Sequence, residues 1–240
     1  MVGKYKIADV VFSAEFNYTY TKKLCASYLY EGEENPSFFI QITKKDIEEE
    51  GKRAGGFPPA YLESLALYRK FLAKLLDFGG TVFHSSALAV DGNAYLFTAP
   101  SGTGKSTHAS LWRQMLGDKV IMVNDDKPVI RLVDGEVFVY GTPWNGKHAL
   151  DTNCKVKIKA ICKLERAEQN SIVELLPNQM LPTILSQTLR PENVGDYDKL
   201  LPLVSAILNN AKLYLLKCNM DISAAQLSYE VMSQGDKNEN

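Results

Sequence analysis

The stretch Tyr95–Trp112, YLFTAPSGTGKSTHASLW, constrains this chain more than any other. An apolar run ends at a turn holding Gly102 and Gly104, and a helical pattern begins at Lys105. Two glycines so placed permit positive φ and let the backbone come close to an anion. Successive N–H groups then point inward as a nest, at a helix N-terminus whose dipole favours negative charge. The segment APSGTGKST fits a strand–loop–helix phosphate cradle, with Ala99 where a first glycine is usual. Ser101, Gly102, Thr103, Gly104, Lys105, Ser106 and Thr107 are the candidate nucleotide-binding residues, Ser101 and Thr103 through backbone only. Lys105 is expected to reach the β/γ-phosphates and Ser106 to ligate Mg²⁺.

A chain of 240 residues is long enough for one sizeable core, or a domain with a small appendage. A net charge of -1 argues against nucleic-acid binding by bulk electrostatics. No apolar run approaches the roughly 20 residues of a membrane-spanning helix, and the opening MVGKYKIADVVFSAEF is interrupted by charge too early for a signal peptide. Cys25, Cys154, Cys162 and Cys218 show no CxxC spacing and read as reduced thiols, so a cytoplasmic protein is expected. Only three His are present and none clusters with Cys, which argues against zinc.

Residues 1–80 read as an N-terminal β-rich appendage of short strands plus one helix. Its charge run TKKDIEEEGKR reads as a solvated helix or loop face. The helix starts at Pro59, with an apolar stripe of Tyr61, Leu65, Tyr68, Leu72 and Leu75. Residues 81–234 read as the core: strands around Asp91-Gly92, the cradle and its helix, the strand KVIMVN, and a hairpin turning at Asp134-Gly135. The strand KVKIKAICKLE, two Pro-containing helices, a late strand and a final helix follow, and residues 235–240 read as a disordered tail.

Phosphoryl transfer needs a metal partner and a group that activates the acceptor. Asp125-Asp126 ends the strand after the cradle helix, where an open α/β sheet gathers its ligands. One carboxylate is suited to Mg²⁺ and the other to accepting a proton; neighbours on extended backbone point opposite ways and need not share a role. His84 precedes the cradle by one strand. In the loop 141–153, Lys147 is a candidate phosphate contact and Trp144 a candidate for stacking on a base or acceptor. Arg190 reads as a solvated cation at a helix end.

FHSSALAVDGNAYLFTAPSGTGKST followed by VIMVNDD resembles the catalytic domain of HPr kinase/phosphorylase, over Phe83 to Asp126 with a weaker echo to Lys147. The resemblance implies an α/β fold with the P-loop nucleotide-binding core shared with phosphoenolpyruvate carboxykinases: a mixed sheet with flanking helices rather than an all-parallel one. It implies Mg²⁺ and ATP as cofactors, a possible homo-oligomer, Lys105 on the phosphates and Ser106 on the metal. It further implies Asp125 as general base, Asp126 beside it supporting the metal or the base, and His84 tuning the Asp by hydrogen bonding. Two departures stand out. YGTPWNGKHALDTN occupies the place of the family's Glu-Arg-Gly-type loop, and residues 1–80 are unlike its regulatory domain. The expected activity is an ATP-dependent kinase acting on a hydroxyl of a protein, peptide or small molecule. The alternative is a nucleotide-binding sensor or assembly module without transfer; a bare ATPase would need a water-orienting residue that the sequence does not identify.

Overall fold

The computed structural model describes residues 2–188, 191 and 193–234. Arg190 and the tail 235–240 lie outside them. The chain divides into two units, Met1–Phe78 and Gly79–Asn240.

The first unit holds β1 (Val2–Ile7), β2 (Val10–Glu15), α1 (Thr19–Leu24), β3 (Phe39–Gln41), α2 (Lys44–Arg53) and α3 (Pro59–Leu75). β1 and β2 form a hairpin and β3 adds parallel to β2. Its three helices outweigh its strands in length, which corrects the expectation of a β-rich appendage. The charge run is helical because Thr43 and Asp46 form a reciprocal capping box at its start. Nor is the run wholly solvated: Glu50 is buried and pairs with Arg53 at 3.0 Å and with Arg69. Over its first turns the buried face of α3 lies one position from the expected stripe, while Leu72 and Leu75 of that stripe are buried as expected. Leu62, Ala66, Leu67 and Phe71 are inside, while Tyr61, Leu65 and Tyr68 flank them half-buried. The displacement follows Glu63, which is fully buried. Its carboxylate accepts from Asn17 N, Asn17 Nδ2, Tyr18 N and Thr21 Oγ1, at 2.6, 3.0, 3.1 and 2.6 Å. α1 has no side-chain cap of its own, so Glu63 supplies one from another helix.

The second unit holds β4 (Gly80–Val82), β5 (Ser86–Val90), β6 (Asn93–Thr98), α4 (Lys105–Leu116), β7 (Val120–Asn124), β8 (Val129–Val133) and β9 (Glu136–Tyr140). It continues with β10 (Lys155–Arg166), β11 (Ser171–Glu174), α5 (Pro177–Gln187), α6 (Tyr197–Asn210), β12 (Lys212–Cys218) and α7 (Ile222–Ser233). Among the described residues its strands form one nine-stranded sheet, with the path β4-β8-β9-β10-β6-β5-β7 and β12 and β11 beside β10. The sheet is mixed: β10 runs parallel to β6 and β12 but antiparallel to β9, and β5 is antiparallel to both β6 and β7. A mixed sheet flanked by helices is the architecture expected from the sequence. β11 is an addition: SIVE is too short and too exposed to read as a strand alone, and pairing with β12 creates it.

One core cluster fixes the cradle helix. Trp112 of α4 is fully buried, with its ring 5.3 Å from Phe97, 5.1 Å from Tyr95 and 5.2 Å from Tyr229. Burial of such a side chain stabilises the docked helix by roughly 2–3 kcal/mol. Ser228 of α7 accepts from Trp112 Nε1 at 2.8 Å, which fixes the rotation of α4 about its axis. All four cysteines are free. No helix among the described residues is long and apolar enough to cross a membrane.

Candidate functional site

The loop 99–104 joins β6 to α4. Gly102 and Gly104 take φ of 79° and 127°, and a Cβ at either position would meet nothing within 4 Å. The loop therefore presents bare backbone to open space. Two helices of this chain close their starts with N-cap side chains, α2 with Thr43 and α7 with Asp221, whereas α1, α3 and α6 have none. α4 starts on Gly104 with no side-chain cap and no acid in its first turn. Its first N–H groups are left for an external acceptor, and the dipole favours an anion there.

Lys105 is buried, and its ammonium donates back to the carbonyls of Ala99 at 2.9 Å and Pro100 at 3.4 Å. Burial pulls its pKa below the ordinary lysine value, while the charges of Asp126 and Asp125 oppose that shift. The cation is thus within electrostatic range of both carboxylates. On the outer side, the Arg166 guanidinium at the end of β10 donates to the Thr103 carbonyl at 3.0 Å and to that of Gly102. The loop is tied to α4 through Lys105 and to the end of β10 through Arg166.

The two aspartates at the end of β7 do diverge. Asp125 is buried, and Ser86 Oγ donates to its Oδ1 at 2.7 Å. It shares a cleft of about 90 Å³ with Ser106 and His148. Asp126 faces His84, whose Nε2 lies 3.3 Å from Oδ1, and Lys127, whose Nζ lies 3.0 Å from Oδ2. Burial pushes the Asp126 pKa up, but the His84 hydrogen bond and the Lys127 charge outweigh it and hold the group below the usual carboxylate value. His84 is itself braced: Nδ1 lies 3.1 Å from Gln187 Oε1, and its backbone N–H donates to the Gln187 carbonyl at 2.8 Å. Ser106 and Asp125 thus line one cleft, and His84 pairs with Asp126.

Asn124 sets this divergence. Its Oδ1 accepts from the N–H groups of Asp126 at 2.8 Å and Lys127 at 2.7 Å, turning the chain off the strand. Its Nδ2 donates to the Thr142 carbonyl at 2.9 Å, and Thr142 Oγ1 donates to the Lys127 carbonyl at 2.8 Å. The segment after β9 is thereby fixed beside the aspartates. In that segment Gly146 takes φ of 71°, and a Cβ there would stand 3.0 Å from the Asp126 Cβ. Lys147 is exposed in the same turn. Trp144, by contrast, is buried at 6% exposure, so it offers no free face for stacking; the packed core takes the ring.

Ser86, Asn124, Thr142 and Gln187 complete the site and are not singled out by the sequence. Ser86 and Asn124 carry a legible signal, lying within the HSS and NDD runs. Thr142 and Gln187 arrive from distant segments and carry none.

Among the described residues no group of three or more His, Cys, Asp or Glu gathers as a metal site. Mg²⁺ asks less of a protein: one or two hard oxygens, with phosphate and water completing its octahedron. The Ser106 hydroxyl and the Asp125 carboxylate on one cleft fit that demand.

No family model and no curated protein matches this chain. Among solved structures, the chain is similar to the Hpr(Ser) kinase/phosphatase from Coxiella burnetii. That similarity has a TM-score of 0.30 and 14% identity, and covers 51% of this chain and 86% of the other. Likeness at that level is a distant one and carries no argument about activity.

Proposed function

We propose that this chain is an ATP-dependent, HPr kinase-like phosphotransferase acting on a hydroxyl acceptor. One observation carries the reading: a glycine-lined cradle with a buried lysine opens beside two aspartates held in different environments. A pure binding module has no need of a carboxylate braced by a histidine.

Each residue then has a role. The N–H groups of Gly102 to Thr107 receive the phosphates. Lys105 leaves the carbonyls of Ala99 and Pro100 for the β- and γ-phosphates and neutralises charge as it spreads over the transferring group. Ser106 and Asp125 would hold Mg²⁺, with Ser86 fixing the carboxylate. A bound ion would offset the negative charge of the phosphates. Asp126, ionised and partly open, accepts the acceptor's proton as its oxygen bonds to the γ-phosphorus and the bond to the ADP oxygen breaks. His84 and Gln187 orient that carboxylate. The sequence resemblance implies Asp125 as the base; we assign the base to Asp126 and the metal to Asp125, because burial beside Ser86 and Ser106 suits a ligand and partial exposure beside His84 suits a base. Lys147 stands on the rim for the acceptor.

The test is a pair of variants in a γ-phosphate transfer assay with titrated Mg²⁺. Asp126→Asn should keep wild-type ATP affinity and lose transfer by about 10²–10⁴-fold, the range of general-base catalysis. Asp125→Asn should instead raise the Mg²⁺ requirement. The reverse pattern restores Asp125 as base. Wild-type transfer in both variants overturns the phosphotransferase reading.

A further inference from the structure

The faces of α4 separate two compartments. Ser106, Ala109, Ser110 and Arg113, spaced i, i+3, i+4, i+7, line the small cleft with Asp125. Gly104, Thr107, His108 and Leu111 carry the same spacing one face over and line a second cavity of about 530 Å³. The second cavity starts at Gly102–Gly104 of the phosphate loop, and the small cleft at Ser106 in the first turn of α4. A phosphate chain seated there has the carboxylates on one side, which leaves the remainder of the nucleotide the other.

The second cavity has the character of a nucleoside site. Its volume lies in the range of small-molecule pockets. Leu111 of α4 and Leu164 of β10 supply apolar walls, and the Arg166 guanidinium stands at the edge while it ties the loop down. Met220 lines the rim and is 79% exposed, an uncovered flexible thioether of the kind that closes over a flat ring. His108 is buried, and its Nε2 lies 2.9 Å from Ser228 Oγ. Its Nδ1 is buried without accessible surface and without a hydrogen-bond partner, so it offers no contact to a ligand in the cavity. Burial lowers the His108 pKa to about 4, so the ring is neutral and does not repel an uncharged base.

We infer that this cavity, between the outer face of α4 and the ends of β10 and β12, takes the base and ribose of the nucleotide whose phosphates occupy the loop. The inference rests on the phosphate-loop reading and adds to it the side on which the nucleoside lies, opposite the aspartates, and the residues that would recognise it.

The experiment compares Mg²⁺-ATP with Mg²⁺-tripolyphosphate by calorimetry, in wild type, Leu111→Trp and Met220→Ala. Tripolyphosphate probes the loop without the nucleoside. Wild type should bind ATP about 100-fold more tightly than tripolyphosphate. Leu111→Trp, which fills the cavity, should weaken ATP at least about 10-fold and leave tripolyphosphate within about two-fold. Met220→Ala, a change at an exposed rim, should weaken ATP about three-fold with the same selectivity, and decides the matter if the Trp variant does not fold. Equal affinity of wild type for both ligands overturns the inference while the loop reading stands. So does an ATP preference that neither variant reduces. If neither ligand binds, the loop reading fails and the nucleoside site falls with it.

Discussion

Gly146→Ala tests whether the turn after β9 lies against Asp126. Two costs are separable. The first is backbone: at φ of 71° an alanine pays roughly 1–2 kcal/mol for the left-handed conformation. The second is contact: the new methyl would stand 3.0 Å from the Asp126 Cβ, so the carboxylate or the turn must move by a few tenths of an ångström. Gly135→Ala is the control, because Gly135 has φ of 82° in the β8–β9 turn and nothing within 4 Å. Both variants should lose about 1–2 kcal/mol in urea denaturation. Only Gly146→Ala should also lose transfer activity, by about ten-fold, since a misplacement near 1 Å at a reacting group costs about 10²-fold. Equal activity in the two variants would refute the packing of this turn on the catalytic carboxylate, and with it the place of Lys147 on the rim.

Lys105→Ala should reduce ATP affinity by about 10²-fold, since charge-assisted bonds to two phosphates are lost; retained affinity in calorimetry removes the loop assignment. His84→Ala removes the hydrogen bond that helps hold the Asp126 pKa down, so the acid limb of the pH–rate profile should move to higher pH. The sign for stability is fixed by the same shift. A carboxylate with a lowered native pKa stabilises above its unfolded value, and that contribution is lost as pH falls through the native one. An unmoved acid limb in His84→Ala would separate Asp126 from that ionisation. Glu63→Gln turns an NH₂ toward two of the four donors that the carboxylate accepts, and should destabilise by about 2–4 kcal/mol in chemical denaturation. A loss under about 0.5 kcal/mol would mean that the cap of α1 is supplied elsewhere.

The cradle was legible because its chemistry is local. Its glycines, lysine and first-turn hydroxyls lie within one strand–loop–helix unit, and the positive φ at Gly102 and Gly104 is what those residues dictate. The hairpin at Asp134-Gly135, with φ of 51° and 82°, was legible for the same reason. The N-terminal half of the stripe on α3 was misplaced by one position, though Leu72 and Leu75 are buried as expected, because hydrophobicity alone cannot register a buried glutamate that caps another helix. The burial of Trp144 was not legible, because an aromatic in a turn-rich loop gives no local sign of whether the ring is packed inside or left exposed.

By itself, then, the sequence determined the two-glycine turn between a strand and a helix and the paired carboxylates at the end of the next strand, since both follow from short-range backbone conformation and strand ends. The different surroundings of Asp125 and Asp126 came only with the fold. Their environments are set by Ser86 from β5, His84 before it, Gln187 from the end of α5 and Asn124 turning the chain toward Thr142. Those partners are separated by up to 103 positions along the chain, and only sheet pairing and helix docking bring them within hydrogen-bond reach.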